Sequence, residues 1–94
     1  MSAPFKAACL QFNSARDVAP NIETFRGLAR RAREQGAELI MTPEVSDMIE
    51  PDRVERMRKA RPESEHPMLA AAIELARELD AHVLLGSIVV KLDA

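Results

Sequence analysis

The chain has 94 residues, of which 47% are hydrophobic and 30% charged, and a formal net charge of -2. That length fits one small domain, and the near-neutral balance offers no electrostatic case for nucleic acid as the main partner. The proportions are those of an ordinary soluble globular chain, which excludes a disordered or low-complexity protein.

The single cysteine, Cys9, excludes an internal disulfide and suits a reducing compartment such as the cytoplasm. Met1 to Phe12 carries Lys6 and Gln11 and lacks a long apolar centre, so it does not read as a signal peptide. No stretch approaches the roughly 18 apolar residues of a membrane span.

Phe5 to Phe12 is short and apolar, bounded by Pro4 and Asn13, and reads as a buried strand. A polar loop follows, Asn13 to Asp17. Asp17 is suited to cap a helix, because its carboxylate can accept from the free amides of the next turn. Pro20 is tolerated in that first turn. Ile22, Phe25, Leu28, Ala29 and Ala32 then share one helical face, with Glu23, Arg26, Arg30 and Arg33 away from it. Gly36 is the expected residue just past the helix end, free to turn left-handed.

Ala37 to Thr42 is the next strand, ended by Pro43. Pro51 to Ala60 is expected to form a short helix with Pro51 at its first position. Val54 and Met57 are its only sizeable apolar side chains, so it should dock weakly. Pro62 breaks it. A stronger helix runs from Pro67 to Leu79, with Met68, Leu69, Ala72, Ile73, Leu75, Ala76 and Leu79 as a broad apolar stripe. Ala81 to Val90 is the longest apolar run and reads as a third strand.

Strand, helix, strand, helix, strand implies an α/β architecture with parallel strands and right-handed crossovers. The second and third strands are apolar at nearly every position, as in a sheet covered on both faces. Two crossovers in one direction put both long helices on one face. The other face is then bare and calls for a partner: a second sheet, a second subunit, or more polypeptide.

For chemistry the informative spot is Met41-Thr42-Pro43-Glu44. Ligands of open α/β sheets bind beyond the carboxyl ends of strands, and Glu44 stands at such an end behind a rigid proline. It can serve as a general base or simply as a solvated or helix-capping acid. Cys9 lies mid-strand between Ala8 and Leu10, where a thiol behaves as a small apolar side chain. It is therefore read as core and not as a nucleophile. His66 and His82 have no metal-ligand spacing and are read as structural or surface residues. Ser14, Ser46 and Ser87 lack a G-x-S-x-G context. Gly86, inside the third apolar run, marks a bulge, a close backbone approach or a simple bend. The basic stretch Arg53 to Arg61 contains Glu55 and no aromatic for base stacking, and reads as a solvated face. With no G-x-G-x-x-G, P-loop, C-x-x-C or H-E-x-x-H, neither a nucleotide cofactor nor a metal is supported.

The combined pattern resembles the start of the nitrilase superfamily of carbon–nitrogen hydrolases. The residues that carry the resemblance are Gln11 and Asn13 after the first strand, Asn21 in the first helix, and Gly36-Ala37-Glu38-Leu39-Ile40 leading into Pro43-Glu44. Leu75-Ala76 and Leu85-Gly86-Ser87-Ile88 complete it. The wording is closest to small amidases of the deaminated-glutathione amidase type. The resemblance implies that residues 1–94 are a single partial domain, the βαβαβ N-terminal portion of an α-β-β-α sandwich. It implies a Glu–Lys–Cys triad acting on a small linear amide, with no cofactor. Glu44 is the one triad member that finds a position here; Lys91 and Cys9 do not match the family's lysine and cysteine. A homo-oligomer, without nucleic acid or membrane as partner, is implied for the full-length form. The alternative is a non-catalytic module that pairs through its uncovered sheet face.

Overall fold

A computed structural model of the protein describes residues 4–92. The amino-terminal stretch read against a signal peptide therefore begins outside the described residues, as does the terminal Ala94. The elements run β1 (Lys6–Cys9), α1 (Val18–Glu34), β2 (Ala37–Met41), α2 (Arg53–Lys59), a 3₁₀ turn (Glu63–Glu65), α3 (Pro67–Leu79) and β3 (His82–Leu84). The three strands form one parallel sheet in the order β1-β2-β3, the arrangement expected of consecutive βαβ units.

Both long helices cover the same face. Phe25 and Ala29 of α1 and Met68, Ala72 and Leu75 of α3 are buried in one cluster with Leu10, Ala37 and Ile40. Ile40 sits on a rung with Ala8 and Val83, and both of these pack on that cluster. Arg30 of α1 pairs with Glu78 of α3 at 2.9 Å, and Arg33 Nε donates to the Leu79 carbonyl at 2.8 Å. The stripe predicted for α1 is therefore the buried one. On α3 the stripe is shifted: Ala71 is buried and Ile73 is exposed.

Successive strand residues point to opposite faces, so the rungs Ala7–Leu39–His82 and Cys9–Met41–Leu84 line the other side. There Leu84 is 56% exposed and Cys9 is exposed. The bare face expected from the sequence is present, and it corrects the reading of Cys9 as a core thiol. Cys9 ends its strand on the uncovered side, where none of the described residues buries it.

Local signals fare unevenly. Gly36 follows the α1 C-cap with φ +95, as its position requires. Asp17 is the N-cap residue of α1 but makes no side-chain cap; its carboxylate goes instead to Lys59 Nζ at 2.9 Å. Pro51 is not in α2. The helix starts one residue after Asp52, whose Oδ1 accepts from Val54 and Glu55 N–H. The helix does dock weakly: Val54 and Met57 are 75% and 63% exposed.

β1 and β3 are shorter than their apolar runs. Thr42 N–H still donates to the Leu84 carbonyl, but Gly86 N–H then goes to the Thr42 hydroxyl instead of continuing the backbone ladder. Residues 85–90 lose their strand neighbour and run as irregular chain, pinned at the end by an isolated bridge between Arg61 and Val90.

Candidate functional site

The carboxyl edge of the sheet is closed by the turn that follows β2. Glu44 lies on this turn, with its side chain exposed. Val45 follows at φ +48. A β-branched residue in the left-handed region is a genuine outlier, and such strain persists only where neighbours hold it.

The neighbours are hydroxyls from both flanking loops. Val45 N–H donates to Ser87 Oγ at 2.6 Å, and Ser14 Oγ donates to the Val45 carbonyl at 2.8 Å. Ser46 is fully buried, and its N–H donates to the Ser87 carbonyl at 3.1 Å. Thr42 Oγ1 accepts from Gly86 N–H at 2.9 Å and donates to Ser46 Oγ at 3.1 Å. The serines that lack a nucleophile context are thus occupied as fasteners of the Glu44 turn.

Gly86 is what lets the third segment come this close. A Cβ at that position would lie 2.6 Å from the carbonyl oxygens of both Thr42 and Pro43. Of the three readings open for Gly86, the structure shows a bend that is also a close backbone approach.

Behind the turn, Ser46, Asp47 and Glu50 are buried polar residues of one loop, with Met48 buried beside them and Ile49 exposed, and the loop is anchored at several points. The Asn21 amide makes a two-way contact with the backbone of Ala15, Oδ1 accepting at 2.7 Å and Nδ2 donating at 2.9 Å. Nδ2 also donates to the Asp47 carbonyl at 2.6 Å. His66 is buried and caps α3, with Nδ1 accepting from Leu69 N–H at 3.4 Å. Its Nε2 faces two acceptors, Asp47 Oδ2 at 3.1 Å and the Val89 carbonyl at 2.9 Å. The tautomer with its proton on Nε2 meets all three contacts. Of the two readings for His66 the structural one holds, and His82 is a surface residue.

Glu50 is the other anchor. Its side chain is 1% exposed and accepts from Arg16 Nη2 and Lys59 Nζ, both at 2.7 Å. Hydrogen bonds first from Arg16 and then from Lys59 hold its carboxyl down at about 2. The basic stretch is correspondingly less free than a solvated face. Lys59 is taken by Glu50 and Asp17, Arg58 by Glu55, and Arg56 Nη1 donates to the Glu50 carbonyl at 3.0 Å.

A cleft of about 240 Å³ lies over these anchors, lined by Asp17, Asp47, Lys59, His66 and Val89 among others. Glu44 does not line it, and the polar groups of Lys59 and His66 are already paired. It is therefore a weaker candidate for chemistry than the strand-end carboxylate. Among the described residues no group of three or more His, Cys, Asp or Glu side chains is placed to hold a metal, and no helix is long and apolar enough to cross a membrane.

The sequence model of the family described as carbon-nitrogen hydrolase matches residues 6–92, which is nearly the whole chain. The chain belongs to the carbon–nitrogen hydrolase family. No curated protein matches it. Membership points to the class of C–N bond hydrolases, and the three-stranded parallel sheet with its two long helices is consistent with part of the α/β nitrilase fold. Glu44 is exposed at the end of β2, on a turn fastened by hydroxyls from both flanking loops.

Proposed function

We propose that this chain supplies the general base, Glu44, of a thiol hydrolase that cleaves the C–N bond of a small linear amide. The lysine and cysteine of the Glu–Lys–Cys triad come, in this reading, from outside residues 1–94. The observation that carries it is the exposed Glu44 carboxylate at the carboxyl edge of a parallel sheet, on a turn fixed from both flanking loops.

Glu44 takes the proton from the cysteine thiol as sulfur attacks the amide carbon. The lysine ammonium stabilises the oxyanion of the tetrahedral intermediate. Glu44 then passes the proton to the leaving nitrogen, ammonia departs, and a thioester remains. Water attacks that thioester, giving its proton to Glu44, and the acid and free thiol are released. No step needs a cofactor. The wording of the chain as a whole is closest to small aliphatic amidases of the deaminated-glutathione amidase type, which favours a short carboxamide as substrate. A reducing cytoplasm and a homo-oligomer complete this reading.

In the full-length hydrolase, Glu44→Gln should lower kcat for ammonia release from propionamide by about 10²- to 10⁴-fold, the range for loss of a general base. Turnover within tenfold of the parent would remove Glu44 from the mechanism. The uncovered face carrying Cys9, Met41 and Leu84 favours a second reading, a non-catalytic module that pairs through that face. A Leu84→Glu variant separates the two. Loss of a stable complex, with no amidase activity in any form of the protein, would support the module.

A further inference from the structure

We infer that Ser87 and Ser14 are positioning residues for the Glu44 carboxylate, acting through the backbone of Val45. The inference rests on the proposal that Glu44 is the base. It starts from the strain at Val45, whose φ of +48 disfavours a β-branched side chain. Released, Val45 returns to negative φ, and the peptide joining it to Glu44 rotates with it.

Two hydroxyls oppose that rotation. Ser87 Oγ accepts the Val45 N–H at 2.6 Å, and Ser14 Oγ donates to the Val45 carbonyl at 2.8 Å. They arrive from the loop after β1 and the segment after β3, so the turn is gripped from both sides of β2. Water could satisfy the Val45 N–H at this surface, since its contact with Ser87 is exposed, whereas the Ser14 contact with the Val45 carbonyl is part-buried. The Ser87 hydroxyl therefore matters for conformation and not for burial of an unpaired group. The grip has its own support: Ser46 N–H donates to the Ser87 carbonyl at 3.1 Å, and Gly86 leaves room for that approach.

A general base must sit within hydrogen-bond reach of the proton it takes. A misplacement of about 1 Å can cost about 100-fold in rate. Ser87→Ala deletes the acceptor, and Ser14→Ala deletes the donor. Ser87→Thr keeps the hydroxyl, and its added methyl group has room at an exposed position.

The test measures kcat and KM for propionamide in the full-length hydrolase. Ser87→Ala should lower kcat by about 10- to 100-fold with KM changed by less than about threefold, the pattern of a lost transition-state interaction. Ser14→Ala should act in the same direction. Ser87→Thr should restore kcat to within about threefold of the parent. A Ser87→Ala enzyme with kcat within about twofold of the parent overturns the inference, as does a loss that Thr does not restore. If Glu44→Gln is inactive while Ser87→Ala is unaffected, only the positioning role fails. If Glu44→Gln is as active as the parent, the base assignment itself fails.

Discussion

Replacing Gly86 by alanine tests the close approach on which the site is built. The new Cβ would stand 2.6 Å from the Thr42 and Pro43 carbonyl oxygens and 2.7 Å from the Pro43 carbonyl carbon. Ordinary contact begins at 3.4 Å, so the peptide must retreat by about 0.8 Å. The obstructing atoms are backbone, and Val45 N–H on Ser87 Oγ limits their retreat. Overpacking of this kind costs about 1–3 kcal/mol. Weakening the Gly86 N–H bond to Thr42 Oγ1 adds about 1 kcal/mol. Against this, alanine reduces the entropy of the unfolded chain, worth about 0.4–1 kcal/mol. The clash wins, and the net destabilisation is about 2 kcal/mol, or on the order of 10 °C in Tm for a domain of this size. Urea unfolding followed by circular dichroism measures it, with an unchanged slope showing that the unfolded state is unaltered. Gly27→Ala is the control. That glycine is on the exposed side of α1, with nothing within 4 Å of the place a Cβ would take, and the change should stabilise by about 0.5–1 kcal/mol. A Gly86→Ala chain as stable as the parent would refute the reasoning.

Glu50 predicts a pH effect. Its carboxyl is lowered from an ordinary 4.5 to about 2 by Arg16 and Lys59. The folded-state value is the depressed one, so its contribution is fully present above about pH 4.5 and is lost as pH falls toward 2. Urea midpoints measured across that window should fall more steeply for the parent than for Glu50→Gln; parallel curves would contradict the ion-pair account. His66→Ala should destabilise the fold by about 3 kcal/mol, since it removes the α3 cap and leaves Asp47 and the Val89 carbonyl short of a donor. A loss under about 1 kcal/mol in the same urea assay would show that His66 is dispensable.

The parts of the fold legible in the sequence are those with local causes. The periodicity of Phe25, Ala29 and Ala32 marks α1, and α3 begins at Pro67 and ends at Leu79 as its apolar stripe implies. The end of β3 is not legible. Leu85 to Val90 is as apolar as a strand, but pairing depends on a neighbour, and β2 has already ended, with Gly86 N–H taken by the Thr42 hydroxyl. Cys9 is misread for a related reason: an apolar context predicts burial only if something covers that face. On its strand-end position alone Glu44 reads equally as a solvated acid, and only the family resemblance around Pro43-Glu44 singles it out. Ser14 is not legible, because a lone hydroxyl carries no pattern and its partner lies tens of residues away; Ser87 enters only as part of the Leu85-Gly86-Ser87-Ile88 block of the family resemblance. Asn21 enters only through the family resemblance, and Glu50 not at all, since a buried carboxylate in a polar loop looks like any surface acid.

The central claim is that Glu44 moves the proton that lets sulfur attack the amide. Its most direct measurement is the rate of thioester formation, followed by rapid quench and intact-mass spectrometry of the full-length hydrolase with propionamide. The account predicts that Glu44→Gln slows the appearance of the acylated cysteine by at least about 100-fold, while the folded protein still binds the amide. Acylation at the parent's rate would contradict it.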